Sequence, residues 1–281
     1  MNKKLKYFLK KRKSDKRKTI FGSHAKGVIY ISENGVIALP IADTTIGKEL
    51  GFNGNWDIKE INTVINQTKP EDVIYVIGTH VGTLLVPLAK RVANVIGFEA
   101  NENTFWFMQM NLCLNKIKNV ILFQNAVGNE NKTVKFYQNT VNTGGSKIKP
   151  IKDSILYNYD SPNEVEVPMI ALDSFISSEN LAPPNGIIMD IEGSEYYALQ
   201  GMQHTLKDIR FLYVEYVPHH LQNVSNVTVE EFLKNITPHF SKATFLKNNT
   251  IFDLEKTSDQ LISYVKNLES KNIADDILFT K

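Results

Sequence analysis

One cysteine, Cys113, is the entire thiol complement of this 281-residue chain, which excludes an internal disulfide framework and any zinc site built from cysteines. Its setting, "NLCLNKI", reads as a buried face of a helix. Long apolar runs are also missing: no stretch approaches the ~20 residues that a membrane span requires, and no apolar signal core follows the first lysines. The expectation is a soluble protein with a cytoplasmic address.

What is present is an ordinary globular composition, 42% apolar, sufficient for one large α/β domain. The net charge of +2 conceals an asymmetry. Residues 1–18, "MNKKLKYFLKKRKSDKRK", hold ten Lys or Arg against one Asp, so this stretch is +9 and the rest is −7. A basic run of this kind, with Leu5, Tyr7, Phe8 and Leu9 as a thin apolar stripe, suits contact with nucleic acid or an anionic membrane surface. The plain alternative is a solvated, frayed terminus. Residues 1–20 are therefore expected to form a basic, disordered tail, and 21–281 a single domain.

Past the tail, "GVIYISENGVIALPIA" reads as a hairpin turning at Glu33-Asn34-Gly35. Ile58, Ile61, Val64 and Ile65 recur at helical spacing before Lys69-Pro70 ends the run. A rhythm of strand and helix follows: Val73–Ile77, Leu84–Val92, Val95–Phe98, Thr104–Leu114 and Val120–Phe123. Alternation of this length predicts an α/β fold with a mostly parallel sheet flanked by helices. A long polar stretch, "TVNTGGSKIKPIKDSILYNYDSPNE", interrupts it; its length and glycines suggest a flexible lid around Gly144-Gly145. The rhythm then resumes with "EVPMIALDSFI", "GIIMDI", "SEYYALQGMQHTL" and "RFLYVEYV".

The turn "VIGTHVG" between strand and helix marks a ligand site. Gly78 stands where backbone must pass close to a ligand, and Gly82 where the next helix must lie tight on the sheet. Glu99 closes the following strand in "VIGFEAN", 21 positions on, where an α/β site places a carboxylate on a ribose hydroxyl pair. A third glycine, needed to cradle a pyrophosphate, is absent, and so is a lysine-bearing phosphate loop. An adenosine ligand without phosphates remains, and S-adenosylmethionine is the obvious candidate.

The stretch from Asp72 to Asn129, "DVIYVIGTHVGTLLVPLAKRVANVIGFEANENTFWFMQMNLCLNKIKNVILFQNAVGN", resembles the FkbM family of S-adenosylmethionine-dependent methyltransferases, which are Rossmann-like, doubly wound proteins. "NTGGSKI", "VPMIALDSFI" and "GIIMDIEGSEYYALQGM" are similar to later family segments in the family's order, and the resemblance covers roughly residues 57–217. It implies that Gly78 to Gly82 pass along the methionine portion of the cofactor, that Glu99 binds the ribose, and that Asn125-Ala126 border the adenine. Asn125 reads equally as a strand-ending turn residue. One departure stands out. Where the family has an acid two residues before the first glycine, holding the cofactor's amino group, this chain has Val76. Loss of such a charged hydrogen bond would cost about 1.5–3 kcal/mol, or one to two decades of affinity. Tyr75 is no substitute, because neighbouring strand residues face opposite sides. His80 either offers a ring nitrogen to the cofactor's carboxylate or caps the turn.

Asp190, Glu192 and Glu195 lie in "IIMDIEGSEYYAL", at the carboxyl end of a strand, where ligands of open α/β sheets bind. Methyl transfer is an in-line displacement, and an alcohol acceptor must also lose a proton. Asp190 is the first candidate base or hydroxyl anchor and Glu192 the second; Glu195 reads as an acid at a helix N-terminus. "VEYVPHHL" puts Glu215, His219 and His220 on the same rim, with His220 a third candidate base. Trp56, Phe52, Tyr157 and Tyr159 are candidate acceptor-pocket aromatics. No metal ligand is assigned, since one strand end cannot show a full set of hard oxygens. The expected activity is O-methylation of a sugar, glycan or small-molecule hydroxyl. The rival readings are a nucleic-acid methyltransferase using the basic tail, and an inactive methyltransferase-fold binding protein, for which Val76 is the argument.

Overall fold

The computed structural model describes residues 3–281. Fourteen strands form three sheets among these residues. A hairpin comes first, β1 (Gly27–Ser32) with β2 (Gly35–Pro40). The main sheet holds β3 (Val73–Ile77), β4 (Asn94–Phe98), β5 (Val120–Phe123), β10 (Gly186–Met189), β11 (Phe211–Tyr216), β12 (Lys242–Phe245), β13 (Thr250–Asp253) and β14 (Asp275–Thr280). Its order is β13-β12-β14-β11-β10-β3-β4-β5. The strands from β5 to β11 are mutually parallel, while β14, β12 and β13 add an antiparallel edge.

The central strands are apolar at every position because both faces are covered. From β3, Ile74 and Val76 pack on one side with Val64 of α3 (Ile58–Ile65; the helices before it are α1, Lys3–Phe21, and α2, Ile46–Asn53), with Leu85 and Leu88 of α4 (Leu85–Ala89) and with Met108 of α5 (Glu102–Leu114). Tyr75 and Ile77 pack on the other side with Ala198, Leu199, Met202 and Val265. This is the expected doubly wound Rossmann-like α/β arrangement. The Tyr75 hydroxyl accordingly donates to the Ala182 carbonyl, on the face away from Val76.

Three local expectations are corrected. Residues 3–21, anticipated as frayed tail, form α1; Ser14 is fully buried and donates to the Ala42 carbonyl at 2.7 Å, and Arg17 reaches Asp43 O and Tyr30 Oη. Cys113 is exposed on α5 rather than buried, the inner face of that helix being taken by Phe107, Met108 and Asn111. The strand "NEVEVPMIA" leaves the main sheet altogether. As β9 (Asn163–Ala171) it joins β6 (Ala126–Gly128), β7 (Lys132–Gln138) and β8 (Lys147–Ile148) in a small sheet ordered β6-β9-β7-β8. Alternating polar and apolar residues suit such a strand, which keeps one face in water.

The hairpin is held by amide side chains of α5. Asn111, fully buried, accepts from Ala38 N and donates to Ala38 O, and Asn115 does the same with Val36, so the edge of β2 leaves no orphan backbone groups there.

Candidate active site

The register of the main sheet aligns its chemistry in one row. Ile77 lies level with Phe98 on one side and Met189 on the other, Met189 with Val214, and Glu215 with Asp276. The next residues, Glu99, Gly78, Asp190 and Glu215, thus stand side by side at the carboxyl ends of β4, β3, β10 and β11. Strand order reverses at β3, and a crevice opens where such a reversal occurs. A cavity of about 430 Å³ fills it, within the range typical of ligand clefts. Gly78, His80, Glu99, Asn125, Ala126, Asp190 and Glu192 all border this space. Val76 borders it too, though only 3% exposed, and brings no charge.

Gly78 and Gly82 adopt φ of +88° and +92°, which side-chain-bearing residues rarely tolerate. A Cβ on Gly78 would sit 1.8 Å from the Asp190 carbonyl oxygen, so its glycine is demanded by the neighbouring strand end rather than by a ligand. His80, between the two glycines, is also left-handed at φ +50°. Glu99, buried, ties the turn down: its Oε2 accepts from His80 N at 2.7 Å and its Oε1 from Asn101 N at 2.9 Å. Burial raises the Glu99 pKa, and these backbone donors oppose the rise. Each oxygen retains a lone pair for a further donor.

His80 Nε2 lies 2.7 Å from Thr143 Oγ1, which in turn donates to Asp43 Oδ2. That network assigns the ring proton to Nε2 and leaves Nδ1 an acceptor. Burial holds the His80 pKa down at about 4, so the ring is neutral and suits a donor rather than a carboxylate. Asp43, fully buried, also accepts from Thr143 N and, through Oδ1, from Thr45 N and Ile46 N at the start of α2. Asp160 holds Asn139, Thr140 and Val141 in the same way. The segment read as a flexible lid is therefore pinned at both ends by buried aspartates, with Thr143, Gly144 and Ser146 walling the cavity.

The acids beyond β10 and β11 form a cluster. Asp190 is open to the cavity yet ringed by acids; burial first, then Glu192, Glu195 and Asp276, hold its pKa well above the usual carboxylate range. Glu215 is raised by burial first and then by Asp190; their carboxylate oxygens lie within 4.8 Å of each other, and two carboxyls so placed hold a proton between them in preference to ionising together. Glu195 is inside the protein, its oxygens accepting from Ile191 N and Gly193 N at 2.9 Å each, and burial lifts its pKa to about 7. Glu195 thus shapes the turn that leads into its own helix. Burial also lifts Asp276 to about 6.

Glu192 is left-handed at φ +57° and points its Oε2 at Lys147 Nζ and at His220 Nδ1, each 3.1 Å away. The His220 nitrogen is at ion-pair distance but out of line for a hydrogen bond. Burial, then Lys147 and His219, push the His220 pKa well below its ordinary value, so the imidazole is neutral. Glu192, Glu215 and His220 form one set of three possible metal ligands, and Asp190, Glu195 and Glu215 another, each set within 4.8 Å. Carboxylate oxygens are the donors of hard divalent cations. Lys147 already supplies a protein cation at Glu192.

Of the aromatics named from sequence, only Trp56 reaches the cavity wall; Phe52 is 85% exposed, Tyr157 is buried beneath the Lys147 ammonium, and Tyr159 stacks on Tyr7. His219 does not border the cavity; its carbonyl accepts from the Tyr157 hydroxyl. Sequence reasoning missed Lys147, Asp43 and Thr143, and also Asp57 and Glu60, two acids that border the same cavity as Val76. Lys147 and Thr143 carried a signal, their place in "NTGGSKI".

Residues 77–247 match the family described as Methyltransferase FkbM domain. The hexuronic acid methyltransferase AglP of Haloferax volcanii is 23% identical over 164 residues, covering 58% of this chain and 63% of that protein. Among solved structures, an FkbM methyltransferase from Methylobacillus flagellatus KT is similar with 17% identity and a TM-score of 0.40, over 62% of this chain and 40% of the other. TYW2 of M. jannaschii, solved with AdoMet, is similar with 12% identity and a TM-score of 0.40, over 92% of this chain and 89% of that one. The domain match takes in more than half the sequence and contains Gly78, Glu99, Asp190 and Glu215, the row that borders the cavity: this chain belongs to the FkbM methyltransferase family.

Proposed function

We propose that this protein is an S-adenosylmethionine-dependent O-methyltransferase acting on a hydroxyl of a sugar, glycan or small molecule. The observation that carries the reading is the convergence on one cavity of Gly78, Thr79 and His80 from the turn, the buried Glu99 carboxylate and the Asp190–Glu215 pair, while Gly82 packs away from it against Met108. The residues present suit the cofactor at its nucleoside end. Glu99 has lone pairs to accept from ribose hydroxyls, and Phe98, Ala126 and Val127 offer apolar surface to an adenine ring, with Asn125 a polar group beside them. At the methionine end Val76 offers no anion, and the neutral His80 ring, Asp57 and Glu60 are the polar groups available to an ammonium. When bound, the cofactor supplies an electrophilic methyl group.

The chain's own part is to orient the acceptor and take its proton. Asp190 borders the cavity at the strand end, and because it shares one proton with Glu215 the pair keeps one negative charge, which takes the hydroxyl proton as the acceptor is alkylated. Glu192 is held by Lys147 and serves as an anchor beside the base; His220, a candidate base from sequence, is buried behind Glu192 and does not border the cavity. The kinship with a hexuronic acid methyltransferase favours a carbohydrate acceptor. Radiolabelled methyl transfer to free hexoses and uronic acids tests the reading: the native protein should label one of these classes, and Asp190→Asn should lower kcat by about two to four decades while leaving cofactor affinity unchanged. Full turnover by Asp190→Asn would move the base elsewhere.

A further inference from the structure

We infer that α1 seats the protein on an anionic lipid surface. An amphipathic helix on a protein surface ordinarily buries its apolar stripe; α1 does the reverse. Its docked side is polar. Ser14 is fully buried, Arg17 bonds Asp43 O and Tyr30 Oη at 3.0 Å each, Lys11 Nζ donates to Ser161 Oγ at 3.3 Å, and Tyr7 stacks on Tyr159 with ring centres 4.7 Å apart.

At 100° per residue Leu5 lies about 180° from Ser14, and Phe8, Leu9 and Ile20 lie within about 60° of Leu5. Leu5 is 50% exposed, Phe8 62% and Ile20 69%, so the apolar row faces solvent along most of the helix. Arg12 and Lys16, both exposed, share that face, and Lys6 and Lys13 flank it. Long cationic side chains among apolar ones can lay their stems along a hydrocarbon boundary and keep their charges at headgroup level.

The charge decides the occupant. Residues 1–18 carry +9 while the rest of the chain carries −7, so this face is attracted to anionic surfaces that the body would avoid. Nucleic acid would satisfy the cations but leave Leu5, Phe8 and Leu9 in water. A second copy of α1 packed on this face would set like charges against each other. An anionic bilayer meets both the apolar row and its cations. The same helix rests on Asp43, which holds Thr143 in the cavity wall, so lipid contact through α1 brings the cavity near the membrane. None of this depends on the methyl-transfer reading.

The test is co-sedimentation of the full chain with equimolar phosphatidylcholine–phosphatidylglycerol vesicles and with phosphatidylcholine vesicles in physiological salt. Binding to the anionic vesicles alone is expected. Leu5→Ser/Phe8→Ser/Leu9→Ser keeps every charge and should lower partitioning about tenfold or more without changing the melting temperature, since these side chains are exposed. Arg12→Glu/Lys16→Glu, at two exposed positions, should weaken it about as much. Absence of binding to anionic vesicles would overturn the inference. So would unchanged binding by the triple serine variant, or single-stranded RNA displacing the vesicles from the native chain, or self-association that the serine variant abolishes in place of lipid binding.

Discussion

Replacing Lys147 by Met removes the one cation that, among the described residues, is set against Glu192. The pair is 3.1 Å apart, and the side chains are 4% and 19% exposed, so both charges are largely out of water. Breaking a buried pair by deleting one partner costs about 3–5 kcal/mol; the partial exposure of Glu192 places the expected loss at the lower end, about 3 kcal/mol. For a protein of this size that is a fall of about 5 °C in melting temperature. Methionine keeps the apolar stem over Tyr157, so packing is largely preserved. The double variant Lys147→Met/Glu192→Gln, which leaves no uncompensated charge, should regain most of the loss. A second readout follows from His220. After burial, Lys147 is the largest influence depressing its pKa, so the His220 resonances of the single variant should titrate at higher pH than in the native protein. Thermal melts at neutral pH and histidine NMR decide the matter. A single variant that melts like the native protein, with His220 unmoved, would refute the role given to Lys147.

Two further variants separate structure from ligand binding. Glu99→Gln offers one oxygen to the two backbone donors His80 N and Asn101 N, so it should lose about 2 kcal/mol of stability and weaken S-adenosylmethionine binding about tenfold or more; undiminished cofactor affinity in calorimetry would make Glu99 a clamp on the turn only. Glu195 titrates at about 7 in the folded protein, above its unfolded value near 4.3, so the native state holds that proton more tightly. Its contribution to stability is therefore present below about pH 4.3 and is lost as pH rises through 7, by about 4 kcal/mol in all. Denaturation of Glu195→Gln across that range should show a correspondingly smaller decline with pH than the native protein, and parallel curves would contradict the assignment.

Local pattern carried much of the fold. The bounds of Val73–Ile77 and Val120–Phe123 are those read from periodicity and punctuation, and the helix carrying Ile58, Ile61, Val64 and Ile65 is present but stops at Ile65, short of Lys69-Pro70. The helix expected over Leu84–Val92 shortens to Leu85–Ala89, and Arg91 N turns back to Leu88 O instead of continuing it. β9 was misplaced because its residues show only that one face is wet, not which sheet supplies the dry one. The tail was misread because its composition resembles disorder, whereas its order rests on Ser14, Arg17 and Tyr7 finding partners far along the chain.

The site divides in the same way. Gly78, Glu99 and Asp190 were legible because each ends a strand, and strands in register bring their ends together. Asp43 with Thr143, a hundred residues apart, and Lys147 with Glu192, 45 apart, were not, since no period in the sequence says which loops meet. The need for glycine at position 78 was legible, but its cause is the Asp190 carbonyl beside it.

Calorimetric titration of the native chain with S-adenosylmethionine bears most directly on the central claim, that this cavity is a methyl-donor site despite Val76. Saturable one-to-one binding with a Kd of about micromolar or tens of micromolar is the predicted result. No binding even at millimolar cofactor would contradict it, and would leave a methyltransferase fold that has given up its donor.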